Sequence, residues 1–150
     1  MLNKIQHAVA TIGFIGYLPY APGTFGTALG FVLVLFSRPD DGRLFIIFLS
    51  LLVLGTICAH NAEKFFGKDS GRIVIDELCG YFLSVLLVPK TFGYLLGAFL
   101  LFRILDILKP PPIGKAEEAV TGGAGIMLDD ILAGIYTNLC LQIWIYFFAK

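Results

Sequence analysis

The chain has 150 residues, enough for a single domain over residues 1–150. Hydrophobic residues make up 57% and charged residues only 15%, against about 25% in soluble domains, and mean hydropathy is +0.84. That balance predicts a membrane protein, and a net charge of zero argues against a nucleic-acid partner.

Met1 to Ala10 holds Lys4 and His7 but no long apolar run beside a small-residue cleavage site, so no cleaved signal peptide is expected. Residues 1–20, broken by Gly13, Gly16 and Pro19, read as an amphipathic or re-entrant approach to the membrane. The stretch PYAPGTFGTALG (19–30) is punctuated by proline and glycine. Thr24 can cap a helix over 24–37, and amides at such a start can bind an anion. An ordinary helix start is the plainer reading of the same residues.

Ser37 to Arg43 is a polar turn, and an apolar helix over 43–66 follows. Its polar extension places His60 and Glu63 three residues apart, on one face; a histidine at a helix end is more often interfacial than a metal ligand. Cys58, Cys79 and Cys140 are single and widely spaced in apolar sequence, so they read as small buried hydrophobes rather than a zinc site or disulfide framework.

IVIDELCG (73–80) sets Asp76 beside Glu77 at the start of an apolar helix over 77–88. The turn VPKTF separates it from a second run over 92–108. A hairpin of short helices is favoured over one kinked helix, which would bury Lys90 near mid-membrane at roughly 2.5 to 3.5 kcal/mol. Arg103, Asp106 and Lys109 recur every three residues near one helix face, before Pro110 to Pro112 ends the helix. GGAGIMLDDILAG (122–134) then places Asp129 and Asp130 ahead of a last apolar helix over 130–148, predicted to sit where it leaves the lipid, since carboxylates are costly inside a bilayer. Paired carboxylates repel unless a cation or a shared proton separates them, and hard oxygen ligands suit Mg²⁺. The plainer reading is acidic residues favoured by a helix N-terminus.

If the five helices alternate in direction, one membrane face collects Lys4, Lys64, Lys68, Arg72, Arg103, Lys109 and Lys115, seven of eleven cations, which makes that face cytoplasmic. The same face collects all carboxylates but Asp40 and Asp41. Glu63, Asp76, Glu77, Asp106, Asp129 and Asp130 are the candidates of interest; Glu117 and Glu118 read as solvated loop charges. Carboxylates gather a divalent cation while Arg, Lys and amides bind phosphate. Their combination points to phosphoryl chemistry at the headgroup level, and a set of solvated helix ends is the bland alternative.

Four stretches together, PYAPGTFGTALG (19–30), IVIDELCG (73–80), FRILDILKPPPIG (102–114) and GGAGIMLDDILAG (122–134), resemble the phosphatidylglycerophosphatase A family in content and order. The resemblance implies a multihelical, all-α enzyme of the bacterial inner membrane with four to five short membrane helices and its site at the cytoplasmic helix ends. It implies Mg²⁺-dependent hydrolysis of phosphatidylglycerophosphate to phosphatidylglycerol and phosphate, in phospholipid biosynthesis. By the same resemblance Asp76, Glu77, Asp129 and Asp130, helped by Glu63, are expected to hold metal. Arg103 and Lys109, with Gly23 and Thr24, are expected to grip phosphate, and Asp106 or Glu77 to position water. The signatures of haloacid-dehalogenase-type and histidine-based lipid phosphatases and of CDP-alcohol phosphotransferases are missing. A small ion carrier would instead place its carboxylates at mid-helix, a structural subunit would need no phosphate grip, and a phosphatase for another monoester stays open. Oligomeric state is not legible.

Overall fold

The computed structural model describes residues 4–68, 70–115 and 120–148; Asp69, Glu117, Glu118 and Lys150, which the sequence assigned to membrane faces, lie outside the described residues. Every regular element among the described residues is helical. They are α1 (Lys4–Ala10), a 3₁₀ turn (Ile15–Tyr17), α2 (Pro22–Ser37), α3 (Asp41–Phe66), α4 (Ile75–Ser84), α5 (Phe92–Leu108) and α6 (Gly123–Phe148).

The helix boundaries follow local chemistry. Pro22 opens α2 at its first position, where a missing N–H costs nothing. The amides of Thr24 and Phe25 donate to the Ala21 carbonyl at 2.9 and 3.4 Å. Thr24 therefore lies inside the first turn and is not the cap, a correction to the predicted start. Asp40 caps α3, its Oδ1 accepting from the Arg43 amide at 3.0 Å. α4 ends at Ser84 and the chain reverses through residues 85–91 before α5, so the expected hairpin is present. Lys90, 12% exposed, donates to Asp41 Oδ1 at 2.7 Å and to the carbonyls of Val85 and Val88 at 2.8 Å each. Its buried charge is thereby partnered.

α6 begins seven residues earlier than the predicted 130. Gly122 takes φ +77°, and its carbonyl accepts from the amides of Gly125 and Ile126 at 2.9 and 3.2 Å. Gly123 then lets the helix lie against α3 backbone to backbone: a Cβ there would stand 2.1 Å from the Thr56 carbonyl oxygen. Asp129 and Asp130 consequently sit about two turns inside α6, not at its start. Gly122 is the turn expected there, but Gly123 and Gly125 are already helix, and at Gly123 the contact with α3 leaves no room for a side chain.

α3 and α6 are long and apolar enough to cross a membrane, at about 39 Å each. Their outer faces expose Ile46, Val53, Leu54 and Ile57 on α3 and Leu139, Ile143 and Phe147 on α6, an apolar surface of the kind that lipid covers. α4, at about 15 Å, is too short to span. It packs between α2, α3 and α6, and Ile75, Cys79, Tyr81 and Phe82 are buried in the shared core.

Candidate active site

The decisive packing event is the crossing of α4 and α6. A Cβ on Gly134 would lie 2.6 Å from the Gly80 carbonyl oxygen, and one on Gly80 would lie 2.7 Å from the Asp130 carbonyl oxygen. Asp76 precedes Gly80 by four residues and Asp130 precedes Gly134 by four, so each acid sits one turn along its helix from the close contact. Two glycines far apart in sequence thus set two carboxylates side by side. The C-terminal end of α5 brings Arg103 and Asp106, and Lys109 follows in left-handed conformation at φ 43°.

The result is a cavity of about 150 Å³ lined by Asp76, Glu77, Asp106, Lys109, Asp129 and Asp130 among others. Ligand oxygens of Asp76, Glu77 and Asp130 lie within 4.8 Å of one another, and so do those of Asp106, Asp129 and Asp130. Asp130 belongs to both triads. Asp129 and Asp130 are buried, at 7% and 2% exposure. Arg103 Nη1 donates to Asp106 Oδ2 and lies 3.9 Å from Glu77 Oε1. Lys109 Nζ donates to Asp129 Oδ2 at 2.7 Å.

Asp76 Oδ1, Glu77 Oε2 and Asp130 Oδ1 are buried without a hydrogen-bond donor. Burial, and then the adjoining Glu77 carboxylate, hold the Asp76 carboxyl well above its ordinary range. Burial raises Glu77 too; its hydrogen bond with Asp76 opposes the rise, Asp106 adds to it, and Arg103 opposes it. Unsatisfied carboxylate oxygens at this depth are costly, and a divalent cation held among them would offset that cost. All the donors are hard oxygens, a set that fits Mg²⁺ better than a softer metal.

Of the residues expected from the sequence, Asp76, Glu77, Asp106, Asp129, Asp130, Arg103 and Lys109 come together. Gly23 joins them: a Cβ there would lie 1.9 Å from Glu77 Oε1 and 3.3 Å from Arg103 Nη1. Thr24 follows it in the first turn of α2, half-buried. Glu63 is in neither triad; it lies by Gly122, where a Cβ would be 3.8 Å from its Oε2. His60 Nδ1 accepts from the Gly123 amide at 3.4 Å, so it serves the start of α6. The loop residues Ser70, Gly71 and Ile73, and Ile126 of α6, also line the cavity. Sequence reasoning passed over them; the one available cue was a short polar, glycine-bearing loop directly ahead of the Asp76–Glu77 pair.

The family pattern described as phosphatidylglycerophosphatase A matches residues 8–145. The chain belongs to the phosphatidylglycerophosphatase A family. It is 38% identical over 152 aligned positions to a phosphatidylglycerophosphatase A of Haemophilus influenzae, covering 96% of this chain and 92% of that one. A phosphatidylglycerophosphatase A of Escherichia coli K12 is 34% identical, over 89% of this chain and 80% of the relative. A Bacteroides thetaiotaomicron protein named as a candidate phosphatidylinositol-3-phosphatase is 36% identical, over 85% and 86%. No solved structure gives a significant match. As a member of the phosphatidylglycerophosphatase A family, the chain is a phosphatase.

Proposed function

We infer that the protein hydrolyses the terminal phosphomonoester of phosphatidylglycerophosphate, giving phosphatidylglycerol and inorganic phosphate, with Mg²⁺ as cofactor. The observation that carries this reading is the pair of carboxylate triads joined at Asp130, beside Arg103 and Lys109. Asp76, Glu77 and Asp130 would hold one cation and Asp106, Asp129 and Asp130 a second. When bound, such a cation neutralises phosphoryl oxygens and acidifies water.

The chain's own groups do the remaining work. Arg103 presents a planar fork suited to phosphate oxygens, and Asp106 holds that fork in place. Lys109 supplies a second positive charge at the rim of the cavity. One carboxylate, Asp106 or Glu77, accepts a proton from the attacking water; the P–O bond to the glycerol breaks as the new P–O bond forms. The leaving alkoxide takes up the proton that this carboxylate accepted and departs as the alcohol, which returns the carboxylate to its starting state. Gly23 keeps the Glu77 carboxylate and the Arg103 guanidinium close to the start of α2 without a side chain between them.

The long apolar faces of α3 and α6 and the grouping of charge at one end of the bundle support a multi-pass protein of the bacterial inner membrane, its cavity on the cytoplasmic side. The test is phosphate release from phosphatidylglycerophosphate by detergent-purified protein, with Mg²⁺ or EDTA, beside Asp130→Asn. Release that EDTA and the substitution both abolish is the expected result. Release that ignores both would sink the metal reading. Release only from phosphatidylinositol 3-phosphate, run in parallel because of the Bacteroides relative's name, would reassign the substrate.

A further inference from the structure

The loop entering α4 carries a cation that the chemistry above does not use. Gly71 and Ile73 line the cavity, and Arg72 stands between them, exposed. Its carbonyl oxygen packs on Gly16, where a Cβ would lie 1.9 Å away. Its guanidinium lies over two rings, 5.2 Å from the centroid of Tyr17 and 5.4 Å from that of Phe66. Tyr17 is fixed in turn: its hydroxyl is 2.6 Å from His7 Nε2, and its ring meets Phe66 edge-on at 6.2 Å. The Val74 amide donates to the Ala10 carbonyl at 2.9 Å. The N-terminal segment therefore packs on the loop whose residues Gly71 and Ile73 line the cavity, and its Tyr17, with Phe66 of α3, holds the Arg72 guanidinium beside that loop, outside the cavity lining.

Arg103 and Lys109 are engaged by Asp106, Glu77 and Asp129, whereas among the described residues no carboxylate pairs with Arg72. A guanidinium stacked on aromatic faces keeps its N–H edge for a planar, bidentate anion. Already immobilised, it gives up little rotamer freedom on binding. Lys64 and Lys68 are exposed too, but among the described residues only Arg72 is stacked on rings.

We propose that Arg72, held on Tyr17 and Phe66, binds the internal phosphodiester of a lipid headgroup whose terminal phosphomonoester occupies the carboxylate cavity. This rests on the phosphatase reading above. In a headgroup with two phosphates, the terminal one would meet Arg103 and Lys109 in the cavity, and the internal one would lie outside it, beside the loop that carries Arg72. Arg72 is thus a specificity residue, separating lipids that carry a diester from simple phosphomonoesters.

The experiment compares wild type, Arg72→Ala, Arg72→Gln and Lys64→Ala, all full-length in mixed micelles. The substrates are phosphatidylglycerophosphate and phosphatidic acid, which has a monoester and no diester. Arg72→Ala is expected to raise KM for the first roughly tenfold, with kcat within about twofold and both constants for phosphatidic acid unchanged. Arg72→Gln keeps a planar group on the rings without the charge and should behave alike; it carries the test if the alanine variant does not fold. Lys64→Ala should match wild type. An unchanged KM, or equal losses on both substrates, overturns the proposal. Calorimetric titration with short-chain phosphatidylglycerol, which keeps the diester and lacks the monoester, needs no turnover. Weaker binding by Arg72→Ala supports the proposal and equal binding overturns it. Arg72-dependent binding by a wild type that releases no phosphate would uphold the diester contact and reject the phosphatase reading alone.

Discussion

Gly23→Ala is the sharpest perturbation of the site that removes no charged group. The new methyl would stand 1.9 Å from Glu77 Oε1 and 2.8 Å from its Cδ. Ordinary contact begins near 3.4 Å, so the carboxylate must retreat by about 1.5 Å. The obstacle is the end of a flexible side chain and not backbone, so the helix accommodates it, and alanine is the better helix former by up to about 1 kcal/mol. Stability should therefore change by no more than about 1 kcal/mol. Catalysis should not escape: a misplacement of about 1 Å at a reacting centre costs on the order of 10²-fold, or about 2.7 kcal/mol of barrier. Phosphate release and a thermal melt in the same detergent read the two effects separately. Wild-type turnover would refute the claim that Glu77 must occupy its observed position. Collapse of the melt would mean that the glycine serves the fold and not the site.

Gly123→Ala meets backbone, with its Cβ 2.1 Å from the Thr56 carbonyl oxygen and 2.5 Å from the His60 amide nitrogen. It should destabilise by about 1–3 kcal/mol or more, seen as a lower Tm together with lost activity. Lys90→Ala removes three hydrogen bonds at the far end of the bundle. It should lower Tm by the equivalent of about 1–3 kcal/mol while the folded fraction keeps its KM. In EDTA, the raised carboxyls of Asp76 and Glu77 set the sign of the pH dependence. A carboxyl whose folded pKa exceeds its unfolded one stabilises fully below the unfolded value, near 4, and loses that contribution as pH rises toward the folded value. Metal-free protein should therefore melt lower at pH 8 than at pH 5, and Mg²⁺ should narrow the gap; a melt that ignores pH and Mg²⁺ alike would contradict a carboxylate-held cation.

Much of this protein was legible in its sequence, for identifiable reasons. Apolar runs bounded by proline, glycine and charge fixed the helices nearly one for one, because each run must bury or lipidate its surface over its whole length. Helices that alternate in direction were expected to bring Asp76, Glu77, Arg103, Asp106, Asp129 and Asp130 to one end of the bundle, and the structure gathers them there. Lys90 dictated a hairpin, because a lone buried charge has to find partners, and it found Asp41 and two carbonyls.

Tertiary structure decided what spacing cannot encode. Gly122 to Gly125 read as a turn in one dimension; only Gly122 is one, and from Gly123 onward the chain is helix against α3, which places Asp129 and Asp130 about two turns deep. Which carboxylates share a cavity was set by the Gly80–Gly134 crossing, a contact between residues more than fifty positions apart. The same packing joined Gly23 to Glu77, kept Glu63 out of both triads and stacked Arg72 on Tyr17 and Phe66. Sequence carries local preference and hydrophobic pattern; the mutual distance of distant side chains is a property of close-packed backbones, and it exists only once the helices have met.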